Sequence, residues 1–427
     1  MDKLALLGGE PAVKEPLPHY RTMGDEEESA VLRVMRSGNL SAYLGAWSPA
    51  YWGGPEVQAF EKEWASAFDV EYAVAVNSAT SGLIAAMGAV GIGPGDEVIV
   101  PPYTMSATAV APLFYGGIPV FVDIEQDCFC LDAKRVEQEI TPKTRAIIAV
   151  NLFGQPADLK ALRDLADAHG LYLIEDNAQG PFAMQGGQLA GTIGHIGVFS
   201  LNYHKHIHTG EGGVCVTRDK SLAERLAMIR NHAENASEHI GDGDFTNLIG
   251  HNFRMTELGA AIGREQLKKA SAFVGRRIEI ADRLTEATSG LTGITAPKVR
   301  PGCRHVYYVW GALYNEAEVG VSRELFAKAL EAEGVPVGVG YVAPLYLLPP
   351  FKNRIAIGSK GFPFNLTNRV YQAGLCPITE RLHHKEMLTY LICSFDPSDE
   401  QVDQIIAAFH KVHAHRENLA TSSVSAA

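Results

Sequence analysis

Short apolar runs alternate with helical segments through most of this chain, and this alternation restricts its fold more than any other feature. Strands are predicted near residues 72–76, 97–100, 119–122, 145–151, 171–175, 196–200 and 213–217. Helical segments such as residues 158–169 separate them. Strands that alternate with helices form a mostly parallel sheet covered by helices on both faces, so the pattern predicts an α/β fold.

The chain of 427 residues exceeds the roughly 250 to 300 residues that one hydrophobic core usually serves, so two lobes are expected. We predict a large α/β domain over residues 25–285 and a smaller α+β domain over residues 286–427, with residues 1–24 packing near the smaller one. Other predicted elements are long helices over residues 255–290, a strand at 306–313 and helices near 322–333 and 399–413.

One lysine, Lys205, lies in a segment typical of a covalent cofactor site. Residues 199–213 read FSLNYHKHIHTGEGG, so the lysine follows a serine by five residues and precedes a Gly-Glu-Gly-Gly turn. A lysine that forms a Schiff base must first lose a proton, which requires a setting that lowers its usual pKa of about 10.4. Most lysines are solvated surface charges, so the motifs around Lys205 decide its interpretation.

Other predicted strand ends supply groups that suit pyridoxal phosphate (PLP). Asp176 ends an apolar strand, where a carboxylate can keep the pyridine nitrogen of PLP protonated, and Gln179 can hydrogen-bond the phenolic oxygen. Ser78 and Thr80 lie at a strand-to-helix turn, where free amides and the helix dipole attract a phosphate. Tyr103 follows two prolines and can stack on the ring. Each has an ordinary alternative, a helix cap or a core aromatic.

The order of these motifs resembles the DegT/DnrJ/EryC1/StrS aminotransferases, which are PLP-dependent enzymes of fold type I and act mostly in sugar metabolism. The resemblance runs from LALLGGEPA at residues 4–12 to near residue 391, and it includes GHNFRMTEL at 250–258 and CPITER at 376–381. It implies PLP as cofactor and glutamate or glutamine as amino donor. The implied acceptor is a keto or aldehyde sugar: a nucleotide-linked sugar, a free acidic sugar such as an 8-oxo-octulosonate, or an inosose.

The resemblance also assigns roles to residues. Lys205 is the Schiff-base lysine and the group that moves the proton between the donor Cα and C4′ of the cofactor, Asp176 pairs with the pyridinium, and Gln179 contacts the phenolic oxygen. The phosphate is expected to be held by Ser78, Ala79, Thr80 and Ser200. Asn252 matches a position that reaches the phosphate from the neighbouring subunit, which implies a homodimer with shared active sites.

Three residues near the expected cofactor depart from the family pattern. The family often has His at Asn151, a small residue at Asn177 and Asn at His206. Two alternatives within the fold stay open, a PLP-dependent sugar dehydratase and a PLP-binding regulatory protein without turnover. Dehydratases of the family carry His at the lysine position, so Lys205 argues against the first. An unrelated α/β protein with accidental motif matches is a further alternative.

The remaining patterns exclude other classes of function. A net charge of −12 without a basic stripe argues against nucleic acid as a partner. Six scattered cysteines do not form a disulfide scaffold, and no apolar run reaches about 18 residues, so no membrane partner and a cytoplasmic location are expected.

Two short motifs resemble other sites. The glycine-rich GIGPG at residues 91–95 precedes a strand instead of following one, which argues against a dinucleotide site. His204, His206 and His208, if extended, would span about 13 Å, too far for one metal ion, so no metal site is predicted.

Overall fold

The structure, a computed structural model, describes residues 3–239 and 243–421. Its α-helices are α1 (Asp25–Ser37), α2 (Pro55–Ala67), α3 (Ala79–Ala89), α4 (Ala107–Val110), α5 (Ala133–Glu139), α6 (Leu159–His169), α7 (Lys220–Arg230), α8 (Glu257–Thr288), α9 (Glu316–Val319), α10 (Arg323–Ala332), α11 (Pro349–Lys352), α12 (Pro377–Arg381), α13 (Asp399–Ala414) and α14 (Arg416–Ala420). Its strands are β1 (Tyr72–Val76), β2 (Glu97–Val100), β3 (Ile118–Phe121), β4 (Thr144–Val150), β5 (Tyr172–Asp176), β6 (Met184–Gln185), β7 (Gln188–Leu189), β8 (Ile196–Ser200), β9 (Gly213–Thr217), β10 (Ile294–Thr295), β11 (Cys303–Arg304), β12 (Trp310–Tyr314), β13 (Val337–Val339) and β14 (Met387–Tyr390).

The large lobe is built on a seven-stranded sheet in the order β1-β9-β8-β5-β4-β2-β3. Strand β9 runs antiparallel to its neighbours β1 and β8, and the other strands are parallel to one another. Strands β2, β3 and β9 are buried along their whole length, which explains why they read as continuous apolar runs. Every strand predicted for this sheet is present within one residue of its expected bounds, and the α/β class is confirmed.

Apolar clusters cover both faces of the large sheet. On one face α3 and α7 pack against side chains such as Val76, Val98 and Val198. On the other face α6 packs beside Ile147 and Leu173. Helix α3 is buried along nearly its whole length, and its N-terminus therefore points to a fixed place at the sheet edge.

A second sheet, in the order β10-β12-β14-β13, forms the smaller lobe. Its core joins residues from α8, α10 and α13 with Leu4, Val13 and Leu17 from the beginning of the sequence. Buried Glu333 accepts hydrogen bonds from the backbone N–H groups of Ala5 (2.8 Å) and Ala12 (2.9 Å), which ties that segment to this lobe. The division at residue 285 stays a prediction, and residues 1, 2, 240–242 and 422–427 of the predicted parts lie outside the described residues.

One predicted strand is wrong in its first half. A strand was expected over residues 306–313, whereas β12 begins at Trp310. The preceding backbone pairs elsewhere, because the N–H groups of Val306 and Tyr308 donate to Gly154 (3.0 Å) and Phe153 (2.7 Å) after β4. Tyr307 adopts a φ of 49°, in the left-handed region, which breaks the extended conformation. The segment therefore enters the large lobe before it joins the second sheet.

Candidate active site

The carboxyl ends of β1, β8 and β5 lie at the same edge of the large sheet, with the first residue of β9 between β1 and β8, and bring the predicted cofactor residues together. Gly213 of β9 pairs with both Val76 at the end of β1 and Ser200 at the end of β8. Asp176, at the end of β5, pairs with Val198 in β8. In doubly wound α/β folds ligands bind outside this carboxyl edge, so the topology favours the predicted position of the site.

The amine of Lys205 is buried and lies over an aromatic ring. The residue is 8% exposed, and its Nζ lies 4.2 Å from the centroid of the Tyr308 ring. Burial lowers the pKa of Lys205 to about 8, although the charges of Asp176 and Cys393 oppose the shift. A substantial fraction of this amine is therefore neutral near physiological pH, as a nucleophile or a proton acceptor requires.

Asp176 is a buried carboxylate held by two hydrogen bonds. Its Oδ2 accepts from the Thr108 hydroxyl (2.7 Å) and its Oδ1 from the Ala178 N–H (3.2 Å). Burial raises its pKa, against the effect of these bonds and of Lys205. It forms no ion pair within the part of the chain that the structure describes. A buried carboxylate without a paired cation is what a protonated pyridine nitrogen would compensate.

Gln179 connects the site to the smaller lobe. Its Oε1 accepts from the Phe153 N–H (2.7 Å), and its Nε2 donates to the Tyr341 hydroxyl (3.1 Å). Both bonds orient the amide, and one amide hydrogen remains for a ligand.

The turn before α3 has donors available for a phosphate. The Ser78 hydroxyl accepts from the Ser81 N–H (3.1 Å) and caps the helix. No described residue supplies an acceptor for the N–H groups of Ala79 and Thr80, which lie at the positive end of the helix dipole. A Cβ at Gly213 would lie 2.7 Å from the Ala79 nitrogen, so the glycine lets β9 approach the turn. Ser200 ends β8 beside it, and its hydroxyl accepts from the Asn202 N–H (3.3 Å).

Tyr103 and Asn252 differ in accessibility. Tyr103 is fully buried, and its ring makes edge contacts with Tyr341 and His383. Asn252 is exposed beside the turn of its own chain, where its carbonyl accepts from the Asn77 side chain (3.5 Å). The expected roles of both residues stay predictions.

Asn151 and Asn177 belong to a buried network on the other side of β5. Asn151 donates to Asn177 (2.8 Å) and to Glu175 (3.3 Å). Because neighbouring side chains in a strand point to opposite faces, Glu175 and Asn177 point away from Asp176. The two asparagines therefore stabilise the carboxyl edge of the sheet on the face opposite to Asp176.

Two histidines on the lysine segment are neutral near physiological pH. Burial lowers the pKa of both His204 and His206 to about 4. His206 Nε2 bonds the Val306 carbonyl (2.8 Å), which makes it the protonated nitrogen, while buried Nδ1 has no hydrogen-bond partner. Residues 203–207 form turns and bends instead of the extended segment considered for a metal, and no group of three potential metal ligands occurs within residues 3–239 and 243–421.

The sequence reasoning missed Thr108 and Tyr308. Thr108 lies in α4, five residues after Tyr103, but nothing in the sequence indicates that its hydroxyl reaches Asp176. Nothing in the sequence distinguishes Tyr308 from its neighbour Tyr307, whose ring stacks on His305 (ring centroids 3.8 Å apart).

Comparison with known proteins settles the family. The profile of the DegT/DnrJ/EryC1/StrS aminotransferase family matches residues 23–409. The chain belongs to this family. It is a PLP-dependent aminotransferase of fold type I, as the sequence predicted.

Several members of the family are similar over most of the chain. The L-glutamine:2-deoxy-scyllo-inosose aminotransferase of Streptomyces kanamyceticus is 33% identical and covers 98% of both chains. The dTDP-3-amino-3,4,6-trideoxy-alpha-D-glucose transaminase of Streptomyces venezuelae is 35% identical over 78% of this chain and 82% of its own. The crystal structure of S. venezuelae DesV in complex with a ketimine intermediate has a TM-score of 0.77 at 32% identity and covers 91% of this chain and 94% of its own.

No helix among the described residues has the length and apolar character needed to cross a membrane.

Proposed function

We propose that this aminotransferase moves an amino group from L-glutamate or L-glutamine to the carbonyl carbon of a keto or aldehyde sugar. The observation that supports it best is the buried Lys205 amine, with a pKa near 8, at the same sheet edge as the buried carboxylate of Asp176. PLP, when bound there, supplies an electron sink for the negative charge that develops at the donor Cα.

Each side chain of the site has a separate role in the proposed reaction. The Lys205 amine holds and moves the proton at the donor Cα, since it is buried and titrates near neutral pH. Asp176, fixed by Thr108, keeps a proton on the pyridine nitrogen. Gln179 orients the ring through its free amide hydrogen. The exclusion of water around these groups strengthens their electrostatic effects.

The phosphate is proposed to lie at the turn before α3, held by the N–H groups of Ala79 and Thr80 and the hydroxyls of Ser78 and Ser200. The unpartnered amides and the helix dipole support this placement. In the same proposal Tyr103 lines the PLP ring, and Asn252 reaches the cofactor phosphate bound in a neighbouring subunit. The enzyme is then a cytoplasmic homodimer with shared active sites. The side chain of Asn252 is exposed, and its Oδ1 accepts a hydrogen bond from Arg254 (2.7 Å), so such a contact would use its NH₂ group.

The full-length similarity to an inosose aminotransferase makes L-glutamine and a keto-cyclitol the first donor and acceptor to test. Sugars linked to dTDP or GDP come next, because a dTDP-sugar transaminase and a GDP-perosamine synthase are also among the relatives.

The test is an absorbance titration of the PLP-loaded protein with L-glutamine and L-glutamate. The wild type is expected to lose the absorbance of the lysine-bound cofactor and gain that of pyridoxamine phosphate, which an acceptor sugar then reverses. Lys205→Ala is expected to show neither change, whereas Lys268→Ala, at an exposed lysine on α8, behaves as the wild type. A lysine-bound cofactor that no amino donor discharges would contradict a transaminase and favour a protein without turnover.

Shared sites are tested by mixing two inactive variants. Lys205→Ala and Asn252→Ala subunits, co-expressed with different tags, are expected to give a mixed dimer with one intact site and about half of the wild-type activity per mixed dimer. Activity that never returns in isolated mixed dimers would place Asn252 in its own subunit's site.

A further inference from the structure

The Tyr308 ring covers the amine of Lys205. The Nζ–centroid distance of 4.2 Å lies inside the range of about 6 Å over which a ring face attracts an ammonium group. The imidazoles of His204 and His206 lie 6.0 Å and 6.4 Å from the same ring. The amine therefore lies over the face of Tyr308, and the two imidazoles lie beside that ring.

Hydrogen bonds at both ends of the segment hold Tyr308 in this position. Its N–H donates to the Phe153 carbonyl (2.7 Å), and the Phe153 N–H donates to Gln179 (2.7 Å). Val306 is tied to the lysine segment through His206 (2.8 Å). The ring is thus placed by the same contacts that orient Gln179 and the lysine turn.

We propose that the face of Tyr308 is the resting place of the Lys205 ammonium whenever the amine is not bonded to the cofactor. Tyr308 is then a positioning residue that makes the protonated amine easier to form in a buried site. The inference rests on the proposed role of Lys205. It adds Tyr308, from the segment before β12, to the residues that control the protonation of this lysine.

The other charged or titratable groups around the amine do not take over the role of the Tyr308 ring in holding the ammonium. They are Asp176 on β5, Cys393 after β14, His204 and His206 on the lysine's own segment, and Arg277 on α8, which acts on His206 and Cys393. Both histidines are neutral near physiological pH, and burial raises the pKa of the Cys393 thiol to about 12. Asp176 is thus the one nearby anion among these groups; it attracts the ammonium in the cofactor-free protein of every variant alike, and the proposed pyridinium engages it once PLP is bound.

The test measures how fast cofactor-free protein captures added PLP as a function of pH. Capture requires the neutral amine, so the midpoint of the rate between about pH 6 and about pH 10 reports the protonation of Lys205. Tyr308→Phe keeps the ring and should keep the wild-type midpoint. Tyr308→Leu and Tyr308→Met remove the ring and should lower the midpoint by about one pH unit.

A purely structural role would lower the amount of captured cofactor without moving the midpoint. A midpoint that stays or rises in both ringless variants would overturn the inference, and Tyr308→Met allows the measurement if Tyr308→Leu does not fold. If the wild type itself captures no PLP through Lys205, the proposed function fails. If the wild type captures it and only the shift is absent, the inference alone fails.

Discussion

Replacing Asp176 by asparagine is expected to stabilise the cofactor-free protein while it damages the reaction. The carboxylate is 5% exposed and has two hydrogen-bond donors but no paired cation among the described residues. Its pKa is raised in the folded protein, so at any pH above that raised pKa its ionisation opposes folding. This penalty disappears as the pH falls below the unfolded value of about 3.9.

The expected gain follows from the cost of a partly compensated buried charge. Asparagine keeps an acceptor for the Thr108 hydroxyl and removes the charge, although its NH₂ group then faces the Ala178 N–H (3.2 Å) and offsets part of the gain. We expect about 1 to 3 kcal/mol of added stability at pH 7. Size scaling to a chain of 427 residues converts this to a rise of about 1 to 3 °C in Tm.

Adding PLP should reduce the stability advantage of the asparagine variant over the wild type. A protonated pyridine nitrogen pairs with Asp176 but not with asparagine, so the increase in Tm on adding PLP should be smaller in the variant. The rate at which L-glutamine discharges the cofactor should fall by about 10²-fold or more. Both are measured by thermal unfolding with and without PLP and by single-turnover absorbance. A variant that is less stable without cofactor, yet gains as much from PLP as the wild type, would refute the reasoning.

Glu175→Gln is the matched control, because Glu175 is the adjacent buried carboxylate on the opposite face. Its oxygens accept from the N–H groups of Gly191 (2.5 Å), Ile193 (2.8 Å) and Gly194 (2.6 Å), and from Asn151. A glutamine would turn an NH₂ group towards these donors, so a loss of about 2 to 4 kcal/mol is expected with or without PLP.

Three further predictions concern pH, the phosphate turn and the smaller lobe. Burial lowers the pKa of His206 from about 6.5 to about 4, so the free energy of unfolding should fall by about 2 kcal/mol as the pH is lowered from 7 to 5. In His206→Asn the urea midpoint should fall less over the same pH range. Gly213→Ala places a Cβ 2.7 Å from the Ala79 nitrogen and should raise the Kd of PLP by about tenfold or more, whereas Gly275→Ala, with open space, should not. Arg323 donates to the carbonyls of residues 382–384 and 387, and Arg323→Met should cost about 3 kcal/mol or more in thermal unfolding.

The sequence was sufficient to predict the large sheet because its strands are local patterns. Buried strands such as β2 and β9 are continuous apolar runs, and glycines, prolines and polar turns bound them. The chain direction then places Ser78, Asp176 and Ser200 at one edge, which the register of the strands bears out. Their roles towards the cofactor stay predictions.

What the sequence did not reveal depends on contacts between distant residues. The Val306 N–H donates to the Gly154 carbonyl, so residues 306–309 lie beside the site although their composition is typical of a strand. The same contact turns Tyr308 towards Lys205. Periodicity describes neighbours in the chain, and it holds no information about a pairing across more than a hundred residues.

The packing of Leu4, Val13 and Leu17 beneath α10 and α13 affects how the chain matures on the ribosome. The helices that shelter these side chains are made only after the whole large lobe. The apolar side chains therefore stay unsheltered until late in synthesis, and exposed apolar surface of this kind favours aggregation. A bulky tag fused directly to this segment would interfere with the last step of assembly.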